Sequence, residues 1–372
     1  MKLIVITNII APNRIPIFNN LAKTKDIELK VIFFSENDPH RKWKVYKNDI
    51  DFNYEILKCL HFFFRAIETP VYLHWGLWRA LKKYKPDAIC VIGYHHMAAW
   101  ESLLYGKLNN TKIILWGGSH LLSGFIKNFL TELYKKIIVP KFDSYVTYGT
   151  SAREQLAHYG AQYKKIVVGC NTVDIEWFMA KSRQISEVKR KDFKERFSAK
   201  NVLYVGDFMS RKGVFNLIKA FEKLNNKNVG LILVGDGPEK SKYLEYINSH
   251  KICNIFFEGF IHKENIIKYY KIADIFVLPS FNEVWGLVVN EAMACGLPIL
   301  SSVFAGATRD IVKDGVNGYS FDPNNIDELT VKLRDLLTDD KKRIEMGQKS
   351  IEIIKYKTPA FYAEKIAEAI TI

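Results

Sequence analysis

The sequence predicts an α/β protein of two halves, each built on a parallel sheet that helices cover on both faces. Three observations support this fold class. The chain has 372 residues, which suggests two domains of roughly 150–200 residues each. Short, continuously apolar runs alternate with longer amphipathic segments, a pattern typical of buried parallel strands joined by helices. The same rhythm begins again after a polar, basic stretch at residues 180–200.

The first half contains six candidate strands, each a β-branched, apolar run bounded by polar or turn residues. The runs are KLIVIT (2–7), ELKVIFF (28–34), DAICVI (87–92), KIILW (112–116), SYVTY (144–148) and KIVVG (165–169). Between the second and the third, PVYLHWGLWRALKKY (70–84) has the pattern of an amphipathic helix. We place the first domain at residues 1–165.

The second half repeats the pattern, and we place the second domain at residues 166–350. Its candidate strands are NVLYVG (201–206), GLILVG (230–235), NIFFEG (254–259), DIFVLPS (274–280) and LPILSS (297–302). The basic stretch at 180–200 is expected to form a helix and loops within this half. Residues 351–372 include the amphipathic run PAFYAEKIAEAI (359–370). We interpret this run as a helix that packs back on the first domain.

Composition indicates polyanionic partners and a reducing compartment. Fifty-four Lys and Arg against 40 Asp and Glu give a net charge of +14, alongside 24 Phe, 19 Tyr and 7 Trp. Such a surface suits phosphorylated ligands, single-stranded nucleic acid or an anionic membrane, and a lysine-rich proteome explains the charge equally well. The five cysteines form no CxxC, which favours reduced thiols in a cytoplasmic protein. Without a signal peptide or an apolar run of 18 residues, we expect membrane contact to be peripheral.

Several strand ends of the second half carry glycine, which points to a ligand site. In open α/β sheets, ligands bind beyond the carboxyl ends of the strands, where glycine lets backbone N–H groups approach them closely. The glycines occur in YVGD (204–207), VGDGP (234–238) and FEGF (257–260). A single glycine there is usually only a turn, but three in one half favour a binding edge.

The stretch EVWGLVVNEAMACGLPI (283–299) places two glutamates eight residues apart, with a glycine between them. We expect Glu283 in a loop and a helix that begins near Gly286. The free N–H groups at that helix start suit a diphosphate. Glu291, further along the helix, can accept hydrogen bonds from ribose hydroxyls, and Glu283 would face a sugar beyond the phosphates. Alternatively, one glutamate caps the helix and the other lies on its solvated face.

This stretch resembles the E-x7-E signature of the family 4 retaining glycosyltransferases. Those enzymes have the GT-B fold, two Rossmann-like domains facing a central cleft with a C-terminal helix that crosses back to the first domain. Further similar segments follow in the family's order: VVGCNTVDIEWF (167–178), YVGDFMSRKGVFNLIKAFEKL (204–224), LILVGDGPE (231–239), IFFEGFIHKENIIKYYKIADIFVLPS (255–280) and GVNGYSFDP (315–323). The resemblance is close over residues 165–330 and loose over 1–164.

The resemblance implies that the second domain holds a nucleotide-sugar donor, a UDP- or GDP-sugar, and that the first holds a saccharide acceptor. Transfer would proceed with retention of configuration, without a bound metal or another cofactor. Glu291 matches the ribose-binding carboxylate, Glu283 the group near the reacting centre, and Lys212 the lysine that neutralises the diphosphate. The full set of expected donor-binding residues is Gly206, Arg211, Lys212, Gly259, Phe260, Gly286, Leu287 and Glu291.

One position departs from the family pattern. The family commonly has Gly-Arg where this chain has Gly206-Asp207, so the usual phosphate-binding arginine is missing. Arg211, beside Lys212, is a replacement for it or a solvated loop arginine.

The first half offers weaker candidates at the ends of its strands. His120 is the preferred catalytic histidine, because Gly117 and Gly118 before it permit close backbone approach. His95 and His96 are the alternatives and are expected near the acceptor. Asn13 and Arg14 either bind the acceptor or cap the helix that begins near Pro16. The two histidine sites and the Asn13–Arg14 pair are also open to purely structural roles.

Two aromatic–basic clusters, RKWK (41–44) and HFFFR (61–65), are candidate contacts with an anionic membrane or with an acceptor lipid, although the phenylalanines suit core packing equally well. The family and the basic, unanchored chain together suggest a lipid-linked oligosaccharide acceptor. They suggest bacterial surface polysaccharide synthesis, of lipopolysaccharide or capsule, at the cytoplasmic face of the plasma membrane.

Four other functions are weighed against this one. A GT-B nucleotide-sugar epimerase shares the fold, but no cluster of acids in the first half supports it. A nicotinamide-dependent dehydrogenase would need a third glycine where GDGPEK (235–240) has Lys240. A metal-binding DxD motif at Asp49-Ile50-Asp51 lies outside any strand-end pattern. A nucleic-acid-binding module explains the charge but not the glutamate pair, so we expect no nucleic-acid partner.

Overall fold

Two parallel sheets organise the chain, one in each of two units. The computed structural model describes residues 1–36, 45–64, 69–121 and 129–372, and of 61–64 and 69–72 only the backbone. The first unit comprises Met1–Val173 and Pro359–Ile372, and the second comprises Asp174–Thr358.

The described strands and helices are numbered in chain order. The strands are β1 (Lys2–Ile9), β2 (Glu28–Ser35), β3 (Asn53–Ile56), β4 (Lys58–Phe64), β5 (Thr69–Trp75), β6 (Ala88–Ile92), β7 (Lys112–Gly117), β8 (Ser144–Thr147), β9 (Ile166–Val168), β10 (Lys200–Val205), β11 (Val229–Val234), β12 (Ile255–Gly259), β13 (Ile275–Leu278), β14 (Ile299–Ser302) and β15 (Gly318–Phe321). The helices are α1 (Ile15–Ala22), α2 (Leu77–Tyr84), α3 (Met97–Asn109), α4 (Phe129–Ile138), α5 (Thr150–His158), α6 (Ile175–Gln184), α7 (Glu187–Lys194), α8 (Val214–Leu224), α9 (Lys240–Ser249), α10 (Lys263–Ile272), α11 (Leu287–Ala294), α12 (Gly306–Ile311), α13 (Ile326–Thr338), α14 (Asp340–Ile354) and α15 (Pro359–Thr371).

The first unit contains a parallel sheet in the order β3-β2-β1-β6-β7-β8-β9. Its strands are apolar on both faces, so each face carries its own buried cluster. Helix α15 completes one of these clusters, in which the ring of Tyr362 stacks on Trp116 with centroids 5.0 Å apart. The last helix of the chain is therefore part of the first unit's core.

The helix predicted over residues 70–84 is wrong in its first half. Strand β5 pairs antiparallel with β4, with Leu60 opposite Leu73, and α2 begins only at Leu77. Gly76 separates them in a left-handed conformation with φ of +95°, which glycine adopts at little cost. The apolar spacing of a short strand followed by a short helix imitated one longer helix.

The second unit contains a parallel sheet in the order β12-β11-β10-β13-β14-β15. Helices α8 and α13 pack over one buried face, together with Tyr243 of α9. The edge strand β15 and the short strand β3 of the first unit were not predicted, because each is only four residues long and lacks a long apolar run.

The chain passes from the first unit to the second between Val173 and Asp174, later than the predicted domain boundary at residue 165. Residues after β9 continue to bond with the first sheet, since the Asn171 N–H donates to the carbonyl of Tyr148 at 2.9 Å. The segment that returns begins at Pro359 rather than at 351. Helix α14 runs to Ile354 within the second unit, where the Ser350 hydroxyl donates to the carbonyl of Leu297 at 2.7 Å.

Candidate functional site

The second sheet reverses its strand order between β10 and β13, which are neighbours in space but far apart in sequence. The loops that leave such a pair at their carboxyl ends diverge, and the crevice between them is where open α/β sheets bind ligands. Lys212 lies in the loop after β10, and Glu283 lies in the loop after β13. The fold therefore brings together two charged residues that are 71 positions apart.

Lys212 and Glu283 form an ion pair in which the Lys212 Nζ donates to Oε2 of the glutamate. Only 13% and 16% of their side-chain surfaces are exposed. The two loops are also joined through the backbone, because the Phe281 N–H donates to the carbonyl of Arg211 at 2.8 Å. Gly213, with φ of +69°, lies so close to the end of β13 that a Cβ on it would lie 1.9 Å from the carbonyl oxygen of Pro279. The pair is thus held by the backbone of both loops.

The segment after β14 supports Glu283 from the other side. Glu283 forms a parallel bridge with Ala305, and its carbonyl accepts a hydrogen bond from the Gly306 N–H at 3.1 Å. Two residues on, the carbonyl of Trp285 accepts from the Ala307 N–H at 2.9 Å. These backbone bonds fix where the Glu283 side chain leaves the loop.

Helix α11 begins where the sequence predicted it. Gly286 is the residue before the helix and has φ of +95°, and a Cβ there would lie 2.7 Å from a methyl carbon of Leu278. The first N–H groups of a helix have no intrahelical acceptor, so the turn that contains Leu287 presents donors and the positive end of the helix dipole. This helix start is a suitable place for an anion.

Glu291 lies on the second turn of α11, partly buried. Its Oε2 accepts a hydrogen bond from the hydroxyl of Tyr270 at 2.7 Å. Burial raises the pKa of Glu291 to about 7, against the Tyr270 hydrogen bond and the charge of Lys263, which both lower it. Tyr270 belongs to α10 and was missed by the sequence reasoning, because nothing local to it marks a functional role.

The glycine-bearing strand ends lie side by side at the same edge of the sheet. The Gly206 N–H donates to the carbonyl of Val234 at 3.0 Å, and the Gly235 N–H donates to that of Gly259 at 2.8 Å. Phe260 follows Gly259 with an exposed ring. The predicted residues Gly206, Gly259 and Phe260 therefore share the edge that carries Lys212.

Arg211 is not the freely solvated arginine of the alternative interpretation. The residue is partly buried, and its Nε is a buried donor without a hydrogen-bond partner in the described structure. Asp207, which stands where the family has arginine, is exposed, and its carbonyl accepts from the hydroxyl of Tyr204 at 2.9 Å. The unsatisfied guanidinium donor lies one residue before Lys212, at the end of the sheet where an anion is expected.

In the first unit, Arg14 lies near the carboxyl end of β1. Its guanidinium donates to the Thr7 hydroxyl at 2.7 Å and to the Tyr148 hydroxyl at 3.0 Å, and it lies 6.0 Å from the ring centroid of Trp116. Arg14 is the N-cap residue of α1, but its side chain makes no capping bond. The capping alternative is therefore wrong for Arg14. Asn13 lies beside it in the preceding turn, partly buried.

His120 is buried three residues after β7. Gly118, two residues before His120, is required by packing, since a Cβ there would lie 2.2 Å from the ring of Tyr148. Strand β7 ends beside β6, so His120 follows the strand next to the one that precedes His95 and His96.

His95 and His96 follow β6, and the first is exposed while the second is partly buried. Burial lowers the pKa of His96 to about 4, and the neighbouring His95 and His74 lower it further. His74 was missed by the sequence reasoning, because it lies in the strand interpreted as a helix. Its buried ring stacks on Phe34 with centroids 4.4 Å apart.

The remaining predicted features lie elsewhere or outside the described residues. Asp49 and Asp51 precede the amino end of β3, and Asp51 pairs with Lys23 at 3.2 Å, so the DxD alternative is not at a strand's carboxyl end. Residues 41–44 and 65 are outside the described parts of the chain, as are the side chains of 61–64. Within the described parts of the chain, no three His, Cys, Asp or Glu residues form a group that could hold a metal ion. Likewise, no described helix is long and apolar enough to cross a membrane.

Comparison with known proteins relates part of the second unit to a family by sequence, and the whole chain to solved structures by fold. Residues 186–353 match the family model of the glycosyl transferases group 1. The chain is 36% identical over 146 residues to an uncharacterized glycosyltransferase of Methanocaldococcus jannaschii, an alignment that covers 38% of this chain and 36% of that protein. It is 28% identical over 283 residues to the N-acetyl-alpha-D-glucosaminyl L-malate synthase of Bacillus anthracis, covering 76% and 70%. The chain thus spans from about a third to about two thirds of these relatives.

Solved structures align over the whole chain. The Anabaena protein HepE in complex with UDP has a TM-score of 0.77 at 17% identity, with 100% of both chains covered. The apo lipopolysaccharide outer core galactosyltransferase WaaB has a TM-score of 0.73 at 18% identity, covering 100% of this chain and 99% of that one. Two parallel-sheet units of this kind define the GT-B fold, which confirms the predicted fold class. Over residues 186–353 the chain is similar to the glycosyl transferases group 1, and its fold as a whole is that of the GT-B structures. The assignment of Glu283 and Glu291 to the E-x7-E signature stays a prediction.

Proposed function

We propose that the chain is a retaining, metal-independent glycosyltransferase that moves a sugar from a nucleotide-sugar donor to a saccharide acceptor. The observation that carries the proposal is the arrangement at the switch point of the second sheet. There Lys212 pairs with Glu283, a helix start follows at Gly286, and Glu291 lies on the next turns of that helix. This is the order of groups that a sugar, a diphosphate and a ribose require.

In this proposal the diphosphate lies at the start of α11. Its charge is met by the helix N–H groups, by Lys212 and by Arg211, whose buried Nε has an unused hydrogen-bonding capacity. Departure of the nucleoside diphosphate builds negative charge at the same place. Donors that are already oriented there stabilise the transition state more than the ground state. Arg211 thereby takes the place of the arginine that Asp207 replaces.

Glu291 accepts hydrogen bonds from the ribose hydroxyls, and Glu283 faces the donor sugar near the reacting carbon. A donor phosphate must share Lys212 with Glu283, because the lysine is already paired with that carboxylate. We assign no protein nucleophile. His120 is proposed near the donor sugar, and His95, His96, Asn13 and Arg14 near the acceptor.

UDP is the proposed nucleotide, since HepE was solved with UDP and with UDP-glucose. The proposed acceptor is a lipid-linked oligosaccharide of a bacterial surface polysaccharide. WaaB, a lipopolysaccharide core galactosyltransferase of similar fold, supports this setting. The chain would then work at the inner face of the plasma membrane as a peripheral protein, consistent with its net charge of +14.

Titration of the full chain with UDP-, GDP- and ADP-sugars tests the donor proposal. We expect thermal stabilisation by one nucleotide class and a calorimetric Kd that Glu291→Ala weakens. No stabilisation by any nucleotide sugar would remove the proposal. Donor consumption without an acceptor, yielding an isomeric sugar nucleotide, would favour the epimerase instead.

Product analysis tests the reaction type. The anomeric configuration of the product, read by NMR, is expected to match that of the donor. Turnover is expected to persist in EDTA, because Lys212 and a helix start replace the metal in balancing the diphosphate. Activity that EDTA abolishes and manganese restores would contradict metal independence.

A further inference from the structure

Two neighbouring helices of the first unit present large apolar side chains to solvent. Apart from the adjacent pair Phe129 and Leu130, the residues of each set are three or four positions apart, so each set lies on one side of its helix. The exposed residues are Met97, Trp100, Leu104 and Leu108 on α3, and Phe129, Leu130, Leu133 and Ile137 on α4. Phe129 and Leu130 are 79% and 72% exposed, which is unusual for such residues clustered on one surface. The α3 set alone extends about 16 Å. We call this surface the α3–α4 ridge.

The ridge is one surface rather than two. The Trp100 indole N–H donates to the Tyr134 hydroxyl at 3.2 Å, and that hydroxyl donates to the carbonyl of Tyr94 at 2.7 Å. The opposite face of α3, with Ala98 and Tyr105, is already buried in the core of the unit. Among the described residues, the outward apolar side chains belong to no buried cluster, and their exposure calls for a partner.

A cavity of about 830 Å³ adjoins the ridge, and lysines outnumber acidic side chains in its lining. Its walls include Trp100 and Leu104 of the ridge, and its four lysines are Lys107, Lys112, Lys141 and Lys165. The acidic side chain in its lining is Asp143, whose Oδ2 already accepts the Ile113 N–H at 2.7 Å. Lys107 and Lys141 are exposed. An apolar surface thus passes directly into a cationic pocket.

We propose that the α3–α4 ridge and the lysine cavity together dock the first unit on an anionic lipid bilayer. The ridge enters the boundary of the acyl chains, and the exposed lysines lie among the phosphodiester headgroups. Trp100 and Tyr134 suit that depth, because each joins an apolar ring to a hydrogen-bonding group. The inference rests on the proposed function only for its membrane setting, and it places the contact outside the clusters at 41–44 and 61–65.

Charge complementarity favours a lipid surface over a second copy of the chain. In a two-fold dimer the same patch faces itself, so the cationic cavities would be brought near each other. A bilayer with anionic headgroups offers the opposite charge to every lysine and an apolar layer to the ridge. Each lysine near such a surface adds to the attraction, and salt screens it.

Two double variants of the full chain test the two parts of the surface separately. Leu104→Gln with Leu133→Gln removes apolar area from the ridge, and Lys107→Gln with Lys141→Gln removes charge from the cavity. The matched control is Val331→Gln with Ile344→Gln, which changes residues that are 60% and 70% exposed on helices of the second unit. Binding is measured by co-sedimentation with vesicles of phosphatidylcholine alone or mixed with phosphatidylglycerol, at low and high salt.

We expect the wild type and the control to bind the mixed vesicles better than the neutral ones. The ridge variant is expected to lose about tenfold in partitioning, since two leucines no longer transfer from water. The lysine variant is expected to lose affinity for the mixed vesicles at low salt and most of its salt dependence. In brominated lipid, quenching of the protein fluorescence is expected to fall when Trp100 is changed to Phe.

Unchanged partitioning of both variants would overturn the inference, as would an equal loss in the control. So would a ridge variant that abolishes self-association, measured by ultracentrifugation, while vesicle binding is retained. Titration with UDP-glucose separates this inference from the proposed function. A chain that binds vesicles through the ridge but no nucleotide sugar would retain the docking surface and lose the transferase proposal.

Discussion

Glu291 has a carboxyl group whose charge changes near neutral pH, because burial raises its pKa to about 7. An ionised carboxylate only accepts hydrogen bonds, whereas the protonated form gives up part of that capacity to an O–H donor. Ribose hydroxyls donate to the ionised form. The pKa therefore predicts that nucleotide-sugar affinity is low in mild acid and rises as the pH passes through about 7.

Calorimetric titration with UDP-glucose between about pH 6 and pH 8 measures this dependence. UDP-glucose is preferable to UDP, because its esterified diphosphate has no ionisation of its own in that range. Glu291→Gln is expected to flatten the profile, and Glu291→Ala to cost roughly 1–3 kcal/mol of binding free energy. A wild-type profile that is already flat would show that the Glu291 charge does not meet the donor.

The same pKa shift makes a prediction for the ligand-free chain. In the unfolded chain Glu291 ionises near its ordinary value of 4.5, before the folded state does. Its contribution to the free energy of unfolding therefore falls as the pH rises from about 4.5 to about 7, and then levels off. Glu291→Gln is expected to remove this contribution, which denaturant melts at a series of pH values would reveal.

The Lys212–Glu283 pair combines a structural role with the proposed catalytic one. Lys212→Met removes the lysine partner of a mostly buried carboxylate, which is expected to cost about 1–3 kcal/mol of stability. Adding Glu283→Gln is expected to recover most of that stability without restoring transfer, since the diphosphate still lacks its cation. Loss of a preorganised charge of this kind lowers turnover by about 10²–10³-fold.

We would measure thermal melts and transfer rates for the wild type, both single variants and the double variant. Together these measurements form a double-mutant cycle. Restored activity in the double variant would show that Lys212 only neutralises Glu283. In that case the lysine would have no separate role toward the donor.

At the scale of elements, the sequence predicted strands where apolar runs are long and turns are marked. The predicted run 230–235 corresponds to β11 (Val229–Val234), and the start of α11 at Leu287 follows Gly286 as expected. The hairpin of β4 and β5 was not predictable in the same way. Each of its strands is defined by pairing with the other, and a local spacing pattern does not contain that pairing.

In the candidate site, too, residues of one continuous stretch could be predicted from the sequence, whereas contacts between distant elements could not. Glu283, Gly286 and Glu291 belong to one continuous stretch, so their spacing alone placed them around a helix start. Tyr270 is 21 residues from Glu291, and only the packing of α10 on the sheet brings its hydroxyl to that carboxylate. Contacts across elements depend on the tertiary fold, which local sequence does not encode residue by residue.

The segment between β6 and α3 carries a prediction about acid stability. Burial lowers the pKa of His96 to about 4 in the folded chain, while an unfolded histidine titrates near the ordinary value of 6.5. Between these values the unfolded state binds more protons, so stability is lost as the pH falls from about 6.5 to about 4.

Changing His96 to Gln is expected to reduce this loss. The neighbouring groups that lower the pKa of His96 further are His95 and His74, so His74→Phe serves as a second variant that leaves His96 in place. Hydrogen exchange of peptides from the first unit, measured down the pH series, reports the change locally. Equal acid lability in the wild type and the His96→Gln variant would assign the loss to other groups.

At the scale of the whole molecule, the first unit depends on residues from the far end of the chain. Tyr362 of α15 stacks on Trp116 and donates its hydroxyl to the carbonyl of Thr147 at 3.1 Å. Gly169 accommodates its ring, since a Cβ there would lie 2.4 Å from it. Further along the helix, the Ser144 hydroxyl donates to the carbonyl of Ala369 at 2.5 Å. The first sheet therefore lacks part of its core until the last residues are in place.

This dependence predicts that α15 affects one unit and spares the other. Tyr362→Ala opens a cavity beside Trp116 and is expected to cost about 3–5 kcal/mol, the range for truncating a large buried aromatic side chain. Tyr362→Phe keeps the ring and loses one hydrogen bond, so about 1 kcal/mol is expected. Hydrogen exchange should show faster opening of peptides from β7 and β8 in the alanine variant, with peptides from β10 and β11 unchanged. Because the proposed donor groups lie in the second unit, UDP-glucose binding should persist under conditions where the first unit is already loosened. Uniform loosening of both sheets would instead mean that the two units unfold as one, and the assignment of α15 to the first unit alone would then not describe the stability of the chain.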